Sequence, residues 1–315
     1  MLRFVIYRTI SALPVLVVVS LVCFLIMWIV PGDVAAEIAG ADATPEQVAA
    51  IRNNLGLDRP LVARALDWYW NLLHGDLGRS YLLNRSVADA VLERLPVTLS
   101  LAGLALTLAI VLGILLGAAA AVNHNRTLDQ GAMALALVGL SLPDFWLGLM
   151  LIVLFGVHLG WLPTGGFVPL TEDPVGWARS MTLPALTLAF TQMGVIARMT
   201  RSSMLDALGQ DYIRTAKAKG LGFGQIVFVH ALRNALIPIV TVIGVMTGVL
   251  IGGAVVIETV YSLPGVGRLI VGAIQRRDYP IIQGGLLMTA TIFVFVNIVV
   301  DVLYGLLDPR VRHGS

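Results

Sequence analysis

Residue types that could do chemistry are few in this sequence, and they do not form the pattern of an active site. The single cysteine, Cys23, has no partner for a disulfide or a thiolate metal site. The histidines are scattered, and none has another histidine four residues away, the spacing at which one helix face presents two metal ligands. Neither the G-x-x-x-x-G-K-[ST] loop that binds ATP nor the G-x-S-x-G turn of serine hydrolases occurs. We therefore expect no catalysis, no metal site and no resident cofactor in this chain.

Carboxylates within apolar stretches are the other candidates. Asp144 follows Pro143 near the middle of one apolar run, Glu258 lies at the end of another, and Asp301 ends the last. Charged groups inside a membrane are costly and usually face a wet cavity or a partner group. We treat Asp144 and Glu258 as candidate pathway residues. Leu142-Pro143-Asp144 is a candidate helix break at which the Asp144 carboxylate would face a wet cavity. For Glu258 and Asp301 the alternative is helix packing or interfacial solvation. The three do not form the relay of charges expected of a proton-driven carrier.

The composition indicates that lipid surrounds the elements that carry these residues. Hydrophobic residues make up 57% of the 315 residues and charged residues only 13%, whereas a soluble domain has about 25% charged residues. The net charge of +2 is the near-cancellation of 21 basic and 19 acidic side chains, so no basic face exists to bind nucleic acid. We expect an all-α integral membrane protein and no nucleic-acid partner.

Apolar runs long enough to span a bilayer recur along the chain. A spanning helix needs about 20 such residues, and continuous runs without alternation favour helices over a barrel. The first run is too long for a cleaved signal peptide, and we interpret it as an uncleaved helix. We predict six transmembrane helices, with apolar runs at Ile10–Val30, Val97–Val122, Gly131–Val157, Met181–Ala197, Pro238–Ile257 and Ile281–Val300.

Lys and Arg in short loops set the orientation of membrane helices, because these residues favour the cytoplasmic side. Arg3, Arg126 and the basic loop 198–237 lie on one side of the predicted membrane, while Arg276 and Arg277 lie on the other. The balance predicts that both termini and loop 198–237 are cytoplasmic.

A helical segment on the outer side follows the first span. Thr44-Pro45-Glu46-Gln47 has the pattern of a capping box, in which Thr and Gln side chains each accept a bond from the other's backbone N–H. Further helices are predicted over Pro60–Leu73 and after Ser86. The predicted organisation is a first transmembrane helix at 1–30, a periplasmic helical segment at 31–95 and a core of five transmembrane helices at 96–315.

Two further patterns concern helix contacts. Loop 198–237 contains both lysines of the chain in a short basic helix that ends at Gly220, a typical helix stop. Taken alone, this is a solvated connecting helix. In the fifth span, Gly244, Gly248 and Gly252 share one helix face and predict close helix packing, either within this chain or against a second subunit.

Several motifs, in a fixed order, resemble one family of transport proteins. Asp211–Leu221 followed by His230–Pro238 resembles the EAA loop of bacterial ABC importer permeases, in the form of the dipeptide and oligopeptide branch. Arg214-Thr215-Ala216 stands where other branches have Glu-Ala-Ala. Further matching motifs are Pro31-Gly32-Asp33, Gly56–Leu61, Gly75–Ser80, Arg94–Leu99, Gly160–Pro163, Gly253–Thr259, Pro264–Gly267, Arg277–Pro280 and Asp308-Pro309-Arg310.

This resemblance implies a type I ABC importer permease fold in a bacterial inner membrane. It implies a transport subunit for di- or oligopeptides that works with a second homologous permease, two ATP-binding subunits that hold ATP and Mg, and an external substrate-binding protein. It further implies that a coupling helix docks on the ATPase through Asp211, Tyr212, Arg214, Thr215, Ala216, Lys217, Ala218, Lys219 and Gly220. Three alternatives remain: a nickel or glutathione permease of the same family, a self-sufficient carrier or channel, and a membrane-embedded enzyme. A carrier would be expected to have inverted repeats and an enzyme a convergent polar site, and this sequence has neither.

Overall fold

The computed structural model describes residues 2–29, 34–40, 43–54, 56, 58–80 and 82–307, which form helices joined by turns and loops and contain no β-strand. The predicted motifs Pro31-Gly32-Asp33 and Asp308-Pro309-Arg310, and the side chain of Asp301, lie outside the described residues. In chain order the helices are α1 (Leu2–Ile29), α2 (Val34–Ala39), α3 (Pro45–Asn54), α4 (Leu61–Leu73), α5 (Val87–Leu92), α6 (Leu95–Val122), α7 (Thr127–Ser141), α8 (Asp144–Leu151), α9 (Pro174–Leu208), α10 (Asp211–Ala218), α11 (Leu232–Val260), α12 (Val266–Gln275) and α13 (Tyr279–Leu307).

Long apolar helices dominate the described chain, as predicted. Five helical stretches are long and apolar enough to cross a membrane, and the number becomes six if the bent pair α7 and α8 counts as one span. Lipid offers no hydrogen bonds to the backbone, so each such stretch satisfies its own N–H and C=O groups as a helix. The count of six stays a prediction.

The third predicted span is not one continuous helix. Gly131–Val157 is predicted as one span with a candidate break at Leu142-Pro143-Asp144, and the structure has that break: α7 ends at Ser141, α8 begins at Asp144, and the two helices are bent by 107°. Leu142 is extended (φ −86°, ψ 131°), because the ring of Pro143 disfavours helical backbone in the preceding residue. Beyond α8 the chain continues as a π-helical segment, Ile152–His158.

The described chain forms two compact units. The larger unit contains residues 2–8, 97–264 and 295–307 of the described chain, and α9 is its most buried long helix. Small residues let helices approach α9 closely. A Cβ at Gly113 of α6 would lie 2.8 Å from the Cβ of Ile196, and one at Gly194 of α9 would lie 2.6 Å from the carbonyl oxygen of Ala136. Glycine at these two positions therefore allows close helix packing within the larger unit.

The smaller unit contains Thr9–Pro96 and Gly265–Val294, with a core that includes Val87, Ile270 and Ile281. The predicted capping box is present: the Thr44 N–H donates to Gln47 Oε1 at 2.9 Å, and the Gln47 N–H donates to Thr44 Oγ1 at 3.3 Å. Helices α4 and α5 occupy the predicted places. That this segment is periplasmic stays a prediction.

Candidate functional site

Helix α10 carries most of the predicted docking residues, and its end is fixed by backbone geometry. Gly220 adopts a positive φ of +77°, which glycine reaches without steric cost. The Leu221 N–H donates to the carbonyl of Ala216 at 3.2 Å, and the Gly220 N–H donates to that of Lys217 at 3.0 Å. This pair of bonds is the Schellman arrangement, which satisfies the last carbonyls of the helix. The predicted stop at Gly220 is therefore present.

One face of α10 is anchored and the rest is exposed. Ile213 and Ala216, three residues apart, are buried in a core cluster that also contains Ile226 and Val227. The basic residues and Gly220 remain open to solvent. Arg214 and Asp211 form an ion pair at 3.4 Å with side chains 80% and 93% exposed, so the pair adds little stability. The exposed face is free to contact a partner through Asp211, Tyr212, Arg214, Thr215, Lys217, Ala218, Lys219 and Gly220.

The sequence did not indicate that α10 is tied to the start of α11. Asn234 donates one side-chain hydrogen bond to the Tyr212 hydroxyl oxygen at 3.0 Å and another to the His230 carbonyl at 2.9 Å. Asn234 therefore fixes the position of α10 relative to α11. Phe223 and Phe228, in the segment between α10 and α11, are large exposed apolar side chains that the sequence analysis also did not single out.

Asp144 lies at the break between α7 and α8. Thr191 of α9 donates a hydrogen bond to its carboxylate at 2.5 Å. A Cβ on Gly253 of α11 would lie 3.7 Å from the other carboxylate oxygen. The carboxylate is thus partly buried where three helices of the larger unit meet, at the first turn of α8, where a helix dipole favours negative charge.

Glu258 is enclosed by protein. Glu258 is 0% exposed to solvent. Thr98, at the start of α6, donates a hydrogen bond to Oε1 of Glu258 at 2.6 Å. A carboxylate so buried needs such donors, because an unpaired charge is very costly away from water. This placement accords with the packing alternative, and contact with a transported molecule stays a prediction.

The three glycines of α11 have different surroundings. A Cβ at Gly244 would lie 2.9 Å from Cγ1 of Val300 in α13, so this position packs within the chain. At Gly252 no described atom would come within 4 Å of an added Cβ, and the residue is exposed. Gly248 lies between them and is partly buried. The helix face predicted from the sequence therefore changes along its length from a covered to an open surface.

Two polar clusters that the sequence analysis missed hold the larger unit together. The buried hydroxyl of Tyr261 lies 2.9 Å from Thr187 Oγ1 and donates to the Gly148 carbonyl at 3.1 Å. Asp129 of α7 forms a two-pronged ion pair with Arg201 of α9, with a second contact of 2.8 Å. Thr187 and Tyr261 are 74 residues apart in sequence, and Asp129 and Arg201 are 72 residues apart. No local sequence pattern therefore predicts either contact.

Family models cover almost the whole chain. Residues 94–313 match the model described as binding-protein-dependent transport system inner membrane component. Residues 1–102 match the model for the N-terminal part of such membrane components.

Individual relatives and a solved structure agree with the family models. A protein of Brucella abortus (strain 2308), provisionally named a peptide transport system permease protein, is 49% identical over 99% of this chain and 100% of its own. The dipeptide transport system permease protein DppB of Escherichia coli (strain K12) is 42% identical over 99% of both chains. An inward-facing structure of the MetNI methionine ABC transporter aligns with a TM-score of 0.58 at 17% identity, covering 70% of this chain and 97% of that chain.

These findings confirm the all-α type I importer permease fold and a transport subunit that is not an enzyme, since ATP hydrolysis in this family resides in separate subunits. They also imply ATPase and substrate-binding partners and a multi-pass membrane location. The chain belongs to the family of inner membrane components of binding-protein-dependent transport systems, the permease subunits of ABC importers.

Proposed function

We propose that this chain forms half of the pathway through which an ATP-driven importer takes up di- or oligopeptides. The observation that carries the proposal is identity of 42% to 49%, over nearly entire chains, with permeases named for dipeptide or peptide transport. Nickel and glutathione permeases remain the alternatives on substrate, because they share much of the same motif order.

The assembly has four kinds of component. This chain pairs with a second homologous permease, two ATP-binding subunits hold ATP and Mg on the cytoplasmic side, and an external binding protein delivers the peptide. In the bacterial inner membrane both chain termini and loop 198–237 face the cytoplasm. Residues 31–95 lie on the periplasmic side, and α7 with α8 counts as one bent span, which gives six spans.

Coupling runs through α10. Its exposed face, from Asp211 to Gly220, sits in a groove of an ATP-binding subunit, while Ile213 and Ala216 fix the helix to the core of this chain. Tyr212 and Asn234 join it to α11. Because α10 is held on two sides, displacement by the ATPase moves α10 together with the spans, as a rigid-body change between inward-open and outward-open states requires.

The second permease contacts the open end of the glycine face. Gly252 is exposed in an apolar stretch of α11, and no described residue fills the space beside it. Glycine at such a position allows the backbones of two helices to approach closely.

Uptake assays test this proposal. The gene for this chain is deleted in its host, and uptake of a radiolabelled dipeptide, nickel ion and glutathione is compared with the parent strain and with a strain lacking the ATP-binding subunits. Loss of dipeptide uptake alone, in both deletions, supports the proposal. Loss of nickel or glutathione uptake instead would replace the substrate, and uptake that persists without the ATP-binding subunits would indicate a self-sufficient carrier.

A further inference from the structure

Helix α4 has an exposed apolar face that no described residue of the smaller unit covers. Its four members follow one another at helical spacing, so they form a single stripe. They are between 65% and 81% exposed and comprise Val62, Leu66, Trp70 and Leu73. A separate exposed face is polar and carries Asp67, which pairs with Arg59, and Asn71. Helix α4 is therefore amphipathic: its exposed surface has one apolar face and one polar face.

A third face of α4 packs against α1. The rings of Trp68 and Phe24 have centroids 5.8 Å apart, and the hydroxyl groups of Tyr69 and Ser20 are 3.2 Å apart. These contacts fix the level of α4 along α1.

That level is inside the apolar part of α1. The segment of α1 that is apolar enough to span a membrane is Ile6–Ile26, and both Ser20 and Phe24 belong to it. Ser20 is six residues before Ile26, which at 1.5 Å per residue is about 9 Å along the helix. Helix α4 therefore lies beside the hydrophobic part of α1 and not beyond its end.

The surface of α1 beside these contacts is itself apolar and exposed, at Val17, Val18, Leu21 and Val22. A spanning helix with such a surface faces acyl chains. The stripe on α4 continues that surface at the same level. An amphipathic helix with Trp among its apolar residues and an ion pair on its polar face has the composition of a helix that lies in a membrane interface.

We propose that α4 is an interfacial membrane helix, whose stripe Val62–Leu66–Trp70–Leu73 contacts the acyl chains of phospholipids in the leaflet at the C-terminal end of α1. Its polar face, with Asp67 and Asn71, points to the headgroups and water. With the proposed orientation this is the outer leaflet. The inference is independent of which substrate the importer carries.

Site-directed spin labelling of the complete transporter tests this assignment. The transporter is reconstituted in vesicles of phosphatidylethanolamine and phosphatidylglycerol. Cys23→Ala, which removes the one cysteine of this chain, is the background for all labels and also the labelling blank. Labels are placed with Leu66→Cys and Leu73→Cys on the stripe, Asn71→Cys on the polar face of the same helix, and Val18→Cys on α1. Collision rates with oxygen, which enters lipid, and with a water-soluble nickel chelate are measured for each.

The expected result is that labels at positions 66 and 73 resemble the label at 18, with oxygen collisions several-fold more frequent than chelate collisions, and that the label at 71 shows the reverse preference. Chelate access at 66 and 73 equal to that at 71 would overturn the proposal by placing the stripe in water. Immobile labels at 66 and 73 that neither reagent reaches would also overturn it, because a protein partner would then cover the stripe.

Discussion

The hydroxyl oxygen of Tyr212 accepts a hydrogen bond of 3.0 Å from the side-chain amide of Asn234, across 22 residues of sequence. Tyr212 lies in the first turn of α10 and Asn234 in the first turn of α11. The bond joins the helix proposed to contact the ATPase to a helix long enough to cross the membrane. A motion imposed on α10 therefore has a direct polar connection to a transmembrane element.

Removing this bond should loosen coupling without unfolding the chain. Tyr212→Phe keeps the ring but loses the acceptor, and a neutral hydrogen bond of about 1 kcal/mol corresponds to about a fivefold change in an equilibrium. We expect more ATP hydrolysed per peptide transported in proteoliposomes, with nearly unchanged thermal stability. Asn234→Leu, whose side chain has a similar size but neither donates nor accepts a hydrogen bond, should have the same effect. An unchanged ratio of ATP to peptide in both variants would remove the bond from the mechanism.

The positive φ of Gly220 predicts a position-specific effect of side chains at the end of α10. Gly220 and Gly222 both have open space for a Cβ, but only Gly220 has a positive φ, of +77°. A left-handed conformation costs an L-residue about 1–2 kcal/mol, so Gly220→Val should displace the end of α10 and lower transport per ATP. Gly222→Val is the matched control and should transport nearly as wild type. Equal transport by both valine variants would show that the geometry of this helix end has no role.

The ion pair between Asp129 and Arg201 should contribute far more to stability than the exposed pair of Arg214 and Asp211. The Asp129 and Arg201 side chains are only 4% and 24% exposed. Removing one partner of a buried pair costs about 3–5 kcal/mol, and we expect the lower end of this range because Arg201 is partly exposed. Arg201→Met should lower the free energy of unfolding accordingly, whereas Arg214→Met should change it by at most about 1 kcal/mol.

Thermal unfolding of detergent-solubilised protein, followed by size-exclusion chromatography, measures the difference between the two methionine variants. Similar melting temperatures for both variants would mean that the ion pair between Asp129 and Arg201 does not stabilise the packing of α7 against α9.

Glu258 offers a test between a structural and a transport role. Thr98→Val removes a donor to its buried carboxylate, and hydrogen bonds to charged groups contribute about 1.5–3 kcal/mol. We expect reduced thermal stability with an unchanged KM for dipeptide uptake. Thr107→Val is the matched control, since the Thr107 hydroxyl donates only to Gly103 within the same helix and is exposed. A raised KM at wild-type stability in the Thr98 variant would instead place Glu258 in the pathway.

Local features of the fold could be predicted from the sequence because the physical cause is itself local. The capping box at Thr44 and Gln47 and the helix stop at Gly220 each depend on residues within a few positions. The break at Pro143 was harder. Pro14, Pro184 and Pro238 lie inside continuous helices, so a proline in an apolar run does not by itself show that the helix ends.

The candidate site was only partly predictable. The residues of α10 predict its basic, exposed face, and the resemblance to importer permeases predicts that this face contacts an ATPase. The hydrogen bond from Asn234 that holds α10 against α11 depends on a contact between two helices. The ion pair between Asp129 and Arg201 joins residues that are 72 positions apart. Both pairs form only when the helices pack against each other. The pattern of charge and hydropathy along the chain does not predict which helices pack together.

The central claim is that α10 is where this permease binds its ATPase, and affinity purification from native membranes tests it most directly. The tagged chain is purified in mild detergent as wild type, as the double variant Lys217→Glu with Lys219→Glu, and as Arg126→Glu, an exposed cation outside α10. Bound subunits are identified by mass spectrometry, and ATP hydrolysis is assayed on the same samples. We predict that wild type and Arg126→Glu retain a second permease and active ATP-binding subunits, whereas the double variant retains the second permease with fewer ATP-binding subunits and less ATP hydrolysis. An ATP-binding subunit that stays bound and fully active in the double variant would contradict the claim.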